Sequence, residues 1–265
     1  MNNMLTSFCD VAHAMLAASR PIARQYFRAP LTVERKSDQS PVTFADRMIE
    51  TAMKAVLSQH LPDHGILGEE HGGHGLDTRY VWVIDPIDGT KSFISGVPVF
   101  GTLIALLDDG RPVLGVIDMP LLAETWIGRA GSGTFCGDDL CTTGKITALD
   151  DAILFATSPD QFVGAEADIF ENLSRACIER RFGGDCYSYG LLASGHVDLI
   201  LEASLQPYDF LALVPIVTGA GGVITDWDGN VLDLSSNGQV LAAATPELHA
   251  KALERIAQTR NRNVA

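Results

Sequence analysis

Three short segments place carboxylates where a buried strand should stop, each beside glycine or at a helix start. The first is Gly68-Glu69-Glu70-His71-Gly72, directly after apolar Ile66-Leu67. Paired glutamates are common on surfaces, so this segment taken alone also reads as a solvated turn. The second is Trp82-Val83-Ile84-Asp85-Pro86-Ile87-Asp88-Gly89-Thr90. A hydrophobic strand delivers Asp85, Pro86 forces a turn, and Asp88 returns three residues later beside a flexible glycine. That spacing lets both carboxylates and an intervening carbonyl reach one hard cation. Gly89-Thr90 then opens a short helix whose free N–H groups and positive dipole end suit a phosphate. The competing reading is an Asp-Pro turn with an N-cap aspartate. The third is Gln206-Pro207-Tyr208-Asp209-Phe210, with Asp209 on the first turn of a helix, where dipole grounds alone would favour an acid.

The chemistry this points to is hydrolysis of a phosphate ester. A phosphate monoester and water are poor partners at neutral pH. Divalent cations about 4 Å apart lower the water's pKa, neutralise the phosphoryl oxygens and stabilise the leaving alkoxide in line. Oxygen-only ligands favour Mg²⁺ over zinc. No serine, cysteine or histidine stands in a recognisable nucleophile setting, so direct water attack is expected, with a covalent phosphoaspartate as the other route. Seven histidines invite a zinc reading. His71 and His74 lack a helix or third ligand, and their glycine-rich loop is expected to be solvated or mobile.

The elements that must position these groups follow from the pattern. Apolar residues from Leu5 to about Arg28 recur at helical spacing. A polar loop from Glu34 to Pro41 breaks that pattern, and a second helix runs from the N-cap Thr43 to about His60. Ile66-Leu67 and Tyr80 to Ile84 read as buried strands. Phe100 to Leu107 and Val113 to Asp118 flank Asp108-Asp109-Gly110 as a hairpin. Further strands are expected at Ala123 to Ile127, Ile153 to Thr157, Val197 to Leu201, Val223 to Thr225 and Gln239 to Ala243. Helices are expected at Ala165 to Arg180, after Gly183-Gly184-Asp185 to about Ser194, from Tyr208 to Thr218, and after Pro246. Arg180-Arg181 then falls at a helix end, as capping groups or as an attraction for an anionic substrate. Pro215 implies a kink, and Gly219-Ala220-Gly221-Gly222 reads as a tight helix-to-strand turn. The order is that of a layered α+β architecture, with a soft boundary near residue 145 dividing 1–145 from 146–265.

Together, Glu69 in Gly-Glu-Glu, the run at 82–90, and Tyr-Asp…Gly-Ala-Gly-Gly at 208–222 resemble the inositol monophosphatase family across essentially the whole chain. That resemblance implies Mg²⁺-dependent, lithium-sensitive phosphomonoesterases with an αβαβα sandwich. Gly183-Gly184-Asp185-Cys186-Tyr187-Ser188-Tyr189-Gly190 and Lys36…Ser40-Pro41-Val42-Thr43…Ala45-Asp46 resemble its histidinol-phosphatase branch in particular. The family pattern makes Glu69, Asp85, the Ile87 carbonyl, Asp88 and Asp209 the ligands of two or three Mg²⁺ ions. Gly89 and Thr90 would offer N–H groups to phosphate, while the Thr90 hydroxyl, Asp46 and Glu69 would orient the water. Tyr208 stands where tryptophan is usual, and Lys91-Ser92-Phe93 where Asn usually precedes the Phe. Asp185, in a loop with Gly183 and Gly184, replaces a small residue of inositol-cleaving members and suits an amine-bearing substrate such as L-histidinol phosphate. An ordinary turn aspartate is the other reading. Glu202 is a second acidic candidate for that pocket, or a solvated strand-end acid; Asp88 and Asp209 border it. The resemblance also implies a homodimer, and the segment from Glu34 to Pro41 is expected to close over the site.

Composition excludes other classes. Nineteen Lys+Arg against 33 Asp+Glu give a net charge of −14, which argues against a nucleic-acid surface and against docking on anionic lipid. No uninterrupted apolar stretch reaches membrane-spanning length, and the first residues lack a secretory pattern. Five cysteines without a CxxC pair read as reduced thiols of a cytoplasmic protein. Three functions remain: a histidinol phosphatase, an inositol-1-phosphate or broad sugar-phosphate phosphatase, and an idle metal- or polyanion-binding module.

Overall fold

A computed structural model describes residues 2–30, 33–35 and 41–264. Residues 36–40, with Lys36, Ser40 and most of the expected closing segment, lie outside the described residues. In chain order come α1 (Asn2–Tyr26), β1 (Val33–Arg35), β2 (Pro41–Thr43), α2 (Phe44–His60), β3 (Gly65–Gly68), β4 (Gly72–His74), β5 (Tyr80–Asp88) and α3 (Thr90–Ile94). Next are β6 (Gly101–Asp108), β7 (Arg111–Met119), β8 (Glu124–Arg129), β9 (Gly133–Cys136), β10 (Asp139–Leu140), β11 (Ile153–Ala156) and α4 (Ala165–Ser174). The chain closes with β12 (Glu179–Phe182), α5 (Tyr187–Ala193), β13 (Leu199–Glu202), α6 (Pro207–Phe210), α7 (Leu213–Gly219), β14 (Val223–Thr225), β15 (Val240–Ala243) and α8 (Pro246–Val264).

Two sheets carry the fold, in the orders β10-β9-β8-β7-β6-β5-β3-β4 and β12-β11-β13-β15-β14. Period-two alternation explains the layers. On β5, Trp82 and Ile84 turn toward α1 and α2, meeting Met15, Ile49 and Met53. Val81 and Val83 turn the other way, onto α5 and α7 and, beyond them, onto Ile200 and Ala242 of the second sheet. Leu199 and Leu201 face outward against α4 and α8. The result is the expected αβαβα sandwich.

Several elements differ from the sequence expectation. The helix expected to reach Arg180 ends at Ser174, and Glu179–Phe182 is a strand paired parallel with β11. All four of its residues are exposed, so no apolar alternation marks it. Arg180 and Arg181 are therefore on an edge strand, where Arg180 donates to Glu171 at 2.5 Å and to Ser174 at 3.1 Å rather than capping a helix. The stretch with His71 and His74 is solvent-exposed, as one of its two expected readings has it, but Gly72–His74 forms a strand paired with β3, and His71 Nδ1 lies 3.1 Å from a Glu50 oxygen. Glu34 and Pro41, expected in a loop, pair within the β1–β2 hairpin.

The helix expected from Tyr208 to Thr218 is divided into α6 and α7. Leu211 and Ala212 keep helical dihedrals between α6 and α7, but Pro215 has no N–H for the Leu211 carbonyl. This stretch presses on β7 so closely that a Cβ at Gly115 would meet the Ala212 carbonyl oxygen at 1.9 Å, a contact only glycine permits. Among the described residues, no helix is long and apolar enough to cross a membrane. All five cysteines are free thiols.

Candidate active site

The site begins with one parallel pairing. β3 and β5 run side by side with Gly68 opposite Ile84, so the residues that follow, Glu69 and Asp85, stand beside each other where that pairing ends, while Asp85 still pairs with Leu103 of β6. The Glu69 N–H donates to the Ile84 carbonyl at 3.3 Å. Beyond Asp85 the pairing of β5 with β6 slips before resuming at Asp88. The slip is stabilised internally, since the Ile87 N–H donates to Asp85 Oδ1 at 3.0 Å. The Ile87 carbonyl accepts from the Thr90 hydroxyl at 3.2 Å. Gly89, with φ of 85°, turns the chain into α3, a left-handed geometry glycine adopts without strain.

The third segment arrives from the other half of the chain. Asp209 reaches back to accept from the Gln206 N–H at 2.7 Å, which fixes it in the first turn of α6. Carboxylate oxygens of Asp85, Asp88 and Asp209 lie within 4.8 Å of one another. Like charges at that separation repel by roughly 3 kcal/mol per pair at an effective dielectric of about 20. Burial first, and then Glu69, Asp88 and Asp209, push Asp85 well above the usual carboxylate range. Burial and the Asp88 charge do the same to Asp209. Asp88 is pushed up to about 7 by burial and by Asp185. Every charge named as acting on Asp85 has the same sign, and every side-chain donor atom is a carboxylate oxygen. That set fits hard divalent cations with oxygen preference and no thiophilic metal.

Asp46 lies against this cluster from α2. It is fully buried, and its Oδ2 accepts from the Thr43 N–H at 2.9 Å and hydroxyl at 2.5 Å. Its Oδ1 is buried without a partner among the described residues. Burial, with the Glu69 charge acting in the same direction, raises its pKa. An unpaired buried acceptor at this position calls for a donor, and water fits.

Asp185 acts on Asp88 from the second half of the chain. Its backbone is left-handed, with φ of 45°, following two glycines that are also at positive φ. Its Oδ2 accepts from Ser92 at 2.7 Å and would lie 2.6 Å from a Cβ at Gly89. Gly183 and Gly184 thus bring a carboxylate onto the start of α3, where no side chain at residue 89 would fit. The next N–H, of Cys186, donates to Asp88 at 2.6 Å. Glu202 is not the solvated strand-end acid that was one of its two readings. It is 1% exposed and accepts from the Thr157 N–H and hydroxyl, both at 2.9 Å, and from Gln161. Burial pushes it up to about 7. Asp46, Glu69, Asp85, Asp88 and Asp209 are thus linked by their charges, Asp185 acts on Asp88 and on Glu202, and Ile87, Gly89, Thr90, Gly183 and Gly184 are chain neighbours of these acids.

Other groups went unnoticed in the sequence. Ser92 holds Asp185, Thr43 holds Asp46, and Thr157 and Gln161 hold Glu202. Tyr189 is buried beside Glu202 with its hydroxyl unpartnered among the described residues. Two signals were available: the serine at position 92, where the family pattern usually has asparagine, and Thr43 as an N-cap three residues before Asp46.

The model of the inositol monophosphatase family matches residues 4–264. The chloroplastic bifunctional phosphatase IMPL2 of Arabidopsis thaliana is 46% identical over 259 residues, spanning 94% of this chain and 75% of that protein. The histidinol-phosphatase of Mycobacterium tuberculosis is 36% identical over 256 residues, spanning 93% and 97%. Among solved structures, an inositol monophosphatase from Zymomonas mobilis superposes with a TM-score of 0.88 at 45% identity, over 95% of this chain and 98% of that one.

Proposed function

The chain belongs to the inositol monophosphatase family and is a metal-dependent phosphatase, and from that premise we propose that it hydrolyses L-histidinol phosphate to L-histidinol and phosphate, a step of histidine biosynthesis. Glu69, Asp85, the Ile87 carbonyl, Asp88 and Asp209 would hold two or three Mg²⁺ ions. When bound, Mg²⁺ supplies positive charge to the phosphoryl oxygens and makes water a stronger nucleophile. Gly89 and Thr90 give the phosphate two backbone donors at the start of α3. Thr90, Asp46 and Glu69 orient the attacking water, and Asp46 Oδ1 is the acceptor free to take its hydrogen bond. The alcohol faces Gly183, Gly184, Asp185 and Glu202, bordered by Asp88 and Asp209. Residues 1–145 supply most ligands and residues 146–265 the substrate-reading loop, with the site between them.

One observation carries the choice of substrate. Asp185 puts a carboxylate beside the phosphate-binding turn, where an ammonium on the leaving alcohol can form a charge-assisted hydrogen bond. Wild-type kcat/KM should favour L-histidinol phosphate over myo-inositol 1-phosphate by at least about tenfold. Asp185→Asn keeps a residue that tolerates the left-handed backbone and removes the charge. It should cost about 30-fold on the amine-bearing ester and little on the inositol ester, the worth of one charge-assisted bond. Preference for the inositol ester in the wild type would instead favour the second reading, an inositol-1-phosphate or broad sugar-phosphate phosphatase. Support for that reading lies in the 45% identity to the inositol monophosphatase from Zymomonas mobilis. An idle binding module would show no Mg²⁺-dependent turnover of either ester.

The same reading includes a homodimer in the cytoplasm. Sedimentation equilibrium should return twice the mass of one chain; a single-chain mass at micromolar concentration removes the dimer. Recovery of the protein outside the cytoplasm on cell fractionation would remove the location.

A further inference from the structure

Glu50 lies one turn after Asp46 on the buried face of α2, and it is fully buried. Its two oxygens are aimed at the three-residue loop that joins β3 to β4 and carries Glu69. Oε2 accepts from the Glu70 N–H at 2.6 Å, and Oε1 from the His71 N–H at 3.1 Å. His71 Nδ1 lies 3.1 Å from Oε1, and the Lys54 ammonium 3.4 Å from it. The remaining loop amide, that of Glu69, is held by the Ile84 carbonyl at 3.3 Å. All three amides of the loop are therefore tied, two of them to one carboxylate. The space for that carboxylate is reserved, because a Cβ at Gly68 would lie 2.2 Å from Glu50 Oε1.

We propose that Glu50 is a positioning residue for metal binding: by clamping the Glu70 and His71 amides it sets where the Glu69 carboxylate stands. The inference rests on Glu69 being a metal ligand, as in the proposed function. Charge-assisted bonds to backbone N–H groups are about twice as strong as neutral ones. A fully buried carboxylate is tolerated only where such partners surround it. A half-buried turn of three residues, two of them carboxylates, would otherwise sample many conformations. Removing partners that orient a ligand typically lowers metal affinity by about 10–100-fold without removing the metal.

Glu50→Gln keeps the shape but offers one acceptor where two amides need one each, and its NH₂ faces an N–H. The Mg²⁺ concentration for half-maximal activity should rise about tenfold, while kcat at saturating Mg²⁺ stays within about threefold of wild type. A residue that served only stability would lower the melting temperature and leave the half-activating Mg²⁺ concentration unmoved. A folded Glu50→Gln protein whose half-activating concentration lies within about twofold of wild type overturns the proposal. Amide hydrogen exchange on the wild-type protein gives a second reading that needs no variant. The Glu70 and His71 amides should be protected with or without Mg²⁺, and exchange at the rate of an unprotected loop overturns the clamp. Should the wild type show no Mg²⁺-dependent phosphatase activity, the proposed function fails, while the amide exchange still decides whether Glu50 holds the loop.

Discussion

Asp88→Asn is expected to lower Mg²⁺-dependent turnover by about a thousandfold, yet to raise the melting temperature of the metal-free protein at pH 8. The two signs have one cause. Asp88 contributes one of three carboxylates crowded within 4.8 Å, and without a cation that crowding is a liability. Its pKa is pushed up to about 7 by burial and by Asp185, against about 3.9 for a solvated aspartate. A folded pKa above the unfolded one means the folded state holds its proton longer. Stability associated with this group is complete below about pH 4 and is lost as pH rises through about 7. An asparagine side chain has no such proton to lose, so the metal-free variant escapes that loss. With Mg²⁺ the balance inverts, because ionised Asp88 becomes a ligand. The Mg²⁺-induced rise in melting temperature of the wild type should grow from pH 5 to pH 8, and be much smaller in the variant. Loss of one ligand charge removes about 4 kcal/mol of transition-state stabilisation, which is the thousandfold. Calorimetric scans with and without Mg²⁺ at three pH values, beside initial rates, check both halves. Turnover close to wild type in Asp88→Asn would remove this residue from the metal centre.

What could be read from the chain alone was set by how local the cause is. Asp85 after an apolar run, with Pro86 and Gly89 following, is legible within nine residues, but Pro86 does not turn the chain: β5 continues through it to Asp88 with its pairing to β6 slipped, and the turn comes at Gly89. That Glu69 emerges beside Asp85 depends on β3 pairing parallel with β5, a contact no spacing encodes; only the resemblance joined the two segments. Glu50 sits at a polar position of an amphipathic helix, where exposure is the ordinary expectation. Its burial is decided by a loop twenty residues away. Glu179–Phe182 failed for the same reason in reverse. Glu-Arg-Arg-Phe has the charge of a helix end, and only pairing with β11 makes it a strand. Tertiary partners override local preference in such short polar stretches.

Asp46→Asn should separate water activation from metal binding. Asp46 is buried on α2, with Oδ2 committed to Thr43 and Oδ1 unpartnered among the described residues. In the variant, the two Thr43 donors require an acceptor, so the asparagine oxygen takes the place of Oδ2. The NH₂ then occupies the position of Oδ1, where a donor replaces the acceptor and meets the water's hydrogens. Proton acceptance at that point is lost, and a positioned acid or base contributes about 100-fold or more to rate. The expected result is a fall in kcat of at least about 100-fold, with the half-activating Mg²⁺ concentration within about threefold of wild type. That pattern differs from Asp88→Asn, where metal response is lost as well, and from Glu50→Gln, where metal response shifts and kcat survives. Burial raises the Asp46 pKa, with Glu69 adding to it. Removing the charge therefore relieves Glu69, and the metal-free variant should be no less stable than wild type at pH 8. A kcat near wild type with a large shift in Mg²⁺ response would place Asp46 among the metal's supports instead of beside the water.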